Sequence, residues 1–216
     1  MAILVVMIMM VANMFQQTTE SWKIGTQSAE MNSSARAALD FMATELRSAV
    51  AGTVAGHTNS INFELVNGSE LKFVTLLGAA NERALRGSLF RLDEAQHGIE
   101  YWRNTDTFKP YQEAPSWDSA QLLIGNVVGM TNCVYLTFND LVSGNSALDY
   151  NASLNNYVLP FCVDLSVTMM SEDNIAKYMN VSLSMPVSDK AAFVARNSKT
   201  YTTRVYFDNR EGYLPR

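Results

Sequence analysis

An α+β fold is expected from three features of this 216-residue sequence. From Gln16 to Ala51 there is no proline, and apolar residues recur at spacings of three and four, the period of a helix. After Gly56 the period changes to two, the mark of half-buried strands. The strand-like runs are joined by short turn signals, which pair neighbours as antiparallel hairpins. One long N-terminal helix, about residues 1–51, should therefore pack by its C-terminal half on antiparallel β-sheets.

The helix begins with MAILVVMIMMVANMF, a run without charge or breaker. Met1 to Ala12 are all aliphatic or methionine. A spanning helix needs about 20 apolar residues, and this run supplies about two thirds of that. It does not read as a signal peptide, because the first basic residue, Lys23, follows the apolar run, and QQTTESWK is no cleavage site. A helix apolar on every face must be enclosed on every face, and a chain of this size has little material for that at its N-terminus. The expectation is a membrane helix whose beginning precedes this sequence. Ile3, Leu4, Val5, Val6, Ile8 and Val11 are its candidate membrane and helix-bundle contacts.

Further on the pattern is amphipathic. Met31, Ala35, Leu39, Met42 and Leu46 mark one face and should hold the helix to the globular part. Asn32, Ser33, Arg36, Asp40, Glu45 and Arg47 should face water or a neighbour. Gly25 is a candidate bend, and Gly52 a candidate stop. The organisation is then a hydrophobic membrane or filament-core segment at 1–20, its amphipathic continuation at 21–52, and a β-rich head at 57–216.

In the head, INFELV and LKFVTLL flank an Asn-Gly turn signal and form a hairpin from Ile61 to Leu77. ALRGSLFRLD and HGIEYWRN read as further strands, and the proline-containing TFKPYQEAPSWDSA as a loop. QLLIGNVV reads as a short strand or helical turn, and NCVYLTF as a strand. NDLVSGNSALDYNASLNNY should be an exposed polar insertion. VLPFCVDLSVTMM alternates, VSLSM is short, DKAAFVARN reads as a brief helix, and TYTTRVYF closes the chain as a strand. About eight strands result.

Net charge −5, without a Lys/Arg run, argues against a nucleic-acid partner. No catalytic constellation stands out. The two histidines, His57 and His97, lie in separate glycine-flanked turns, and no nucleophile elbow, H-E-x-x-H or P-loop motif occurs. No enzyme activity, cofactor or metal is expected. Asp93/Glu94 and Ser171 to Asn174 are acidic turns without EF-hand spacing, better read as solvated turns than as calcium sites. Trp22, Trp102 and Trp117 are scattered and suit packing or interface anchoring. Cys133 and Cys162 have no metal-spaced partner. A hairpin centred near Tyr150 would pair Cys133 near Ser166 and Cys162 near Thr137, an offset of about four residues or ~13 Å. A disulfide between them is therefore not favoured.

The apolar half-helix, its polar middle and the stretch SSARAALDFMATELRSAVAG resemble the type IV pilin superfamily, which includes the pseudopilins of type II secretion. Within it, AALDFMATELRSAV, QLLIGNVVGMTNCVYLTFND, LPFCVDLSVTMMSED and TYTTRVYFDNR are similar to the larger minor pseudopilin of the J type and to W-type minor pilins. The ending is also similar to the Verru_Chthon cassette protein C group of pilin-like proteins. Family precursors carry a short basic leader, a phenylalanine and a glutamate ahead of a run like AILVVMIMMV, and this sequence begins inside that run.

The resemblance implies a structural subunit, anchored in the bacterial inner membrane with its head in the periplasm before assembly. After assembly it would stand in a filament or at the cell surface, at the tip or in the initiation complex. Its implied partners are other minor pilins or pseudopilins, met through helix bundling, and beyond them a secreted substrate or surface ligand. The rival reading is a membrane-tethered binding module or adhesin.

Overall fold

In a computed structural model, residues 2–52, 61–77, 84–104, 120–182 and 186–207 are described. The chain is α+β: one long N-terminal helix followed by antiparallel sheets, an arrangement consistent with a pilin-like fold.

Helix α1, Ala2–Arg47, holds 46 residues, about 69 Å at about 1.5 Å per residue. It runs through Gly25 without a break. It stops five residues before the expected Gly52, because Ala49–Val50 (β1) leaves the helix to pair with Thr75 and Val74. Ser48 sets this exit: its amide and hydroxyl both donate to the Glu45 carbonyl, and its own carbonyl accepts from the Leu76 amide. Pairing with an existing strand satisfies the backbone that a final helical turn would leave open.

The larger sheet runs in the order β6-β5-β4-β3-β2-β8, with β1 added beside β3. Its strands are β2 (Phe63–Val66), β3 (Glu70–Leu77), β4 (Ala84–Asp93), β5 (Gly98–Asn104), β6 (Gln121–Gly125) and β8 (Tyr150–Asn151). The expected hairpin forms with Phe63 opposite Phe73 and Val66 opposite Glu70. Three residues, Asn67 to Ser69, connect the two strands; Asn67 and Gly68 have left-handed φ of 49° and 67°, and the Ser69 amide closes the turn on the Val66 carbonyl. Gly68 is needed there twice over, since a Cβ would also come 3.0 Å from the Asn132 carbonyl oxygen.

A second sheet has the order β10-β9-β7, from β7 (Val127–Tyr135), β9 (Cys162–Met170) and β10 (Ser198–Tyr206). QLLIGNVV is strand throughout except at Asn126, whose φ of 61° separates β6 from β7. β7 begins five residues earlier than the expected NCVYLTF strand and ends before Thr137, which caps helix α2 (Phe138–Ser143). The expected polar insertion holds more structure than loop. After α2, β8 pairs with β2, and a 3-10 turn spans Ala152–Asn155. Tyr150 and Ala152 are buried.

Two helices join β9 to β10: α3 (Glu172–Ser182) and α4 (Val187–Asn197). α4 contains the expected DKAAFVARN helix. α3 corrects two expectations, for the SEDN stretch opens a helix and Val181–Ser182, expected in the short VSLSM element, close it. Tyr178 links this pair to the rest, its ring 6.1 Å from Phe193 and 5.7 Å from His97. Residues 105–119, containing most of the expected proline loop and Trp117, lie outside the described residues, as does His57.

One apolar core joins α1 to both sheets. Phe63, Leu65, Leu71, Phe73, Phe90 and Ile99 enter from the larger sheet, and Val134, Val163, Leu165 and Val167 from the smaller.

Candidate assembly surface and the helix–head junction

α1 changes its surroundings along its length. Every described side chain from Ile3 to Glu20 is exposed. Ile3 is 79% exposed, Leu4 61%, Val5 53%, Val6 51%, Ile8 61% and Val11 53%. Met7, Met9, Met10, Met14 and Phe15 extend this apolar surface around the helix. Leaving such a surface in water opposes the hydrophobic effect, so it is a surface to be covered. Among the described residues, α1 is the helix long and apolar enough to cross a membrane by length and composition. Thr18 and Thr19 return their hydroxyls to the carbonyls of Met14 and Phe15. That places two polar side chains on the helix without opening its backbone ladder.

From Met31 onward one stripe of α1 enters the head. Ala35, Leu39, Met42 and Leu46 are buried in the core, joined by Ala38 and Ala43, and Met31 packs at its border half-buried. Alanines at 35, 38 and 43 let the sheets approach the helix closely, while Met42 and Leu46 fill the space between.

The stripe is flanked by a charged junction that the sequence pattern assigns to the outside of the helix. Glu45 turns inward. Both its oxygens accept from Nη2 of Arg86, at 2.9 and 2.8 Å. Tyr101 donates its hydroxyl to Oε2 at 3.3 Å and Ser88 at 3.4 Å. Arg103 donates to the Tyr101 hydroxyl and lies over its ring, 5.0 Å from the centroid. The Glu45 and Arg86 side chains are only 13% and 15% exposed, so this is a nearly buried pair whose carboxylate is well supplied with donors, while the buried Arg86 Nε has no partner among the described residues. Periodicity alone does not reveal it. The available sign is that Glu45 directly precedes Leu46, at the border of the apolar stripe.

A looser strap ties the helix to the head further up. Lys23 Nζ is 2.6 Å from Asp173 Oδ2, and Gln27 donates to the same oxygen at 3.2 Å. Lys199 donates to the Ser28 hydroxyl at 2.8 Å. The hydrogen bond from Lys23, then that from Gln27, holds the Asp173 carboxyl below its ordinary range. Between strap and core lies a cavity of about 580 Å³, bordered by Met31, Ala38, Phe41, Leu123, Ile124 and Met169.

The other sequence candidates are not brought together. Trp22 is exposed on α1, whereas Trp102 lies on β5 with its indole N–H donating to Glu100 and Arg91 over its ring. Asp93 accepts from the amides of Ala95 and Gln96 and so closes its own turn. Among the described residues no group of three or more His, Cys, Asp or Glu side chains is placed to hold a metal. Among the described residues, Cys133 and Cys162 are not joined by a disulfide. Their register corrects the expectation by two residues: Cys133 faces Asp164, and Cys162 faces Tyr135. The shift arises because α2, β8 and the 3-10 turn fill the connection, so its length does not centre a simple hairpin on Tyr150. The cysteines become diagonal neighbours, a relation whose usual ~7–8 Å spacing still exceeds a disulfide's reach.

No protein-family model matches this chain, and no curated protein matches it.

Proposed function

We propose that this chain is a structural subunit of a type IV pilin-like filament, a minor pseudopilin of the J type or a W-type minor pilin. Its head would stand at the tip or in the initiation complex. The observation carrying this reading is the division of α1: apolar and exposed on all sides from Ile3 to Phe15, then buried along a single stripe from Ala35 to Leu46. A rod of that kind can sit in lipid before assembly and exchange lipid for neighbouring helices afterwards. Each change leaves the head untouched. Extraction is offset by burying the same side chains in a helix bundle, where close packing replaces contact with lipid.

The size of the head supports a low-copy position, because a broad head on a thin stalk crowds a continuous filament. The Glu45–Arg86 pair would fix the head on the stalk, so that force on one moves the other.

The test expresses the full-length gene product with its secretion or pilus system and places single cysteines at Val6 and Met10 in a background with Cys133→Ser and Cys162→Ser. Oxidative cross-linking to helix cysteines in other minor pilins, dependent on the assembly ATPase, is the expected result. Val6→Arg should remove both carbonate-resistant membrane association and cross-linking, since a central arginine costs about 2.5–3.5 kcal/mol on insertion. Membrane association without any helix cross-link would sink the filament reading and leave the tethered binding module.

A further inference from the structure

Among the described residues, the smaller sheet ends in β10, which pairs with β9 alone over nine consecutive residues, from Ser198 opposite Met170 to Tyr206 opposite Cys162. In a strand, alternate residues turn their N–H and C=O groups to opposite sides, so β10 offers a row of donors and acceptors away from β9. From Lys199 to Tyr206, no described residue outside β9 hydrogen-bonds to that main chain.

Proteins usually protect such an edge with proline, a bulge, a very short strand or a covering element. β10 contains no proline, its register with β9 is unbroken, and it is long for an edge. Its composition, SKTYTTRVY, is rich in the β-branched and aromatic residues that favour strands. The outer face is exposed and ordered: Thr200 pairs by hydroxyl with Thr168 at 2.9 Å, and Thr202 with Ser166 at 3.0 Å. At its end Tyr206 packs edge-on to Phe161, 5.6 Å between centroids, and Phe161 in turn to Phe138 at 6.0 Å. Tyr206 and Phe138 remain 49% and 62% exposed.

We propose that the outer edge of β10 is a docking site for an extended, acidic segment of a different polypeptide, which adds to the sheet as a fourth strand. Backbone hydrogen bonding along the edge specifies a strand as the occupant. Charge specifies its character. In a chain of net charge −5, β10 carries Lys199 and Arg204 and no acidic residue, with exposed Arg36 and Arg196 beside it. In the groove that Lys199 borders, Lys23, Lys177 and Arg196 outnumber Glu20 and Asp173. Asp164 answers Arg204, but among the described residues Lys199 reaches only the neutral Ser28 hydroxyl. A second copy of β10 would bring more basic charge and no carboxylate, so it fits worse than an acidic strand. An apolar residue of the incoming strand beside Tyr206 would lie on the Tyr206–Phe161–Phe138 row. The inference rests on sheet topology and charge, and stands or falls separately from the filament reading.

The test uses the full chain in detergent micelles and a fluorescent nine-residue peptide of alternating threonine and valine. Aspartates are placed for Lys199 and Arg204, and a leucine at the Tyr206 end. Saturable binding is expected, with hydrogen exchange slowed at least tenfold at alternate β10 amides. The same peptide N-methylated at alternate amides, or with lysine for aspartate, should bind at least tenfold weaker. These controls alter the probe and leave the fold alone. The proposal is overturned by absence of saturable binding or by indifference to N-methylation or to the sign of the charge. It is equally overturned if the outward-facing β10 amides in the peptide-free protein exchange as slowly as those of β9, since the edge would then already be closed by the chain itself or by a second copy.

Discussion

Glu45 follows Met42 by three residues and precedes Leu46 by one, so its side chain emerges at the border of the buried stripe, where Arg86 can reach it from β4. Glu45→Ala should destabilise the head by about 3 kcal/mol, because it leaves a nearly buried guanidinium uncompensated. Urea unfolding followed by tryptophan fluorescence measures the loss. Replacing both partners with methionine should recover most of it, because the buried charge disappears with its partner. Asn132 presents the opposite case. It is fully buried on β7, and neither end of its amide has a partner among the described residues. Asn132→Leu should leave stability unchanged or raise it, by as much as about 1–3 kcal/mol, since an unsatisfied amide costs its desolvation. A fall in the unfolding midpoint would show that the native amide is satisfied. Neither residue's role is legible in the sequence, because both depend on what the fold places opposite them.

At the scale of elements, α1 is one helix read by two environments. Met42 is fully buried and Met10 is 63% exposed, yet both are methionines on the same rod. Met42→Ala should cost the head about 2–5 kcal/mol, and Met10→Ala should leave its unfolding unchanged. Equal effects would mean that the first part of α1 packs on the head. The stripe from Met31 to Leu46 is readable in advance because three-and-four spacing puts side chains on one face whatever they later meet. The end of α1 is not, because pairing of β1 with β3 ends the helix ahead of the glycine. α3 was hidden for a different reason. Its acidic start resembles a turn, and few apolar residues mark its buried face, Ile175 foremost.

For the whole molecule, the strap at Lys23 and Asp173 decides how firmly α3 follows α1. Asp173 is lowered from its ordinary value of 3.8, and Lys23, by the hydrogen bond to Asp173, is raised from 10.5. A depressed acid contributes above its ordinary value and loses that contribution as pH falls through the lowered one. A raised lysine contributes below its ordinary value and loses that as pH rises through the raised one. The contact is thus complete between those two ordinary values and opens at either extreme. Amide exchange at the start of α3 should accelerate below the aspartate range while core amides of β9 stay protected, and Asp173→Asn should remove that acid dependence. The long helix, its two surfaces, the Asn67-Gly68 hairpin and the alternation of the strands are legible in residue order, because each is a local pattern of neighbouring residues. The register of β7 on β9, the inward turn of Glu45 and, among the described residues, the unpaired edge of β10 arise on folding. Those depend on which distant segments meet, and long-range pairing carries no period that a single strand or helix can display.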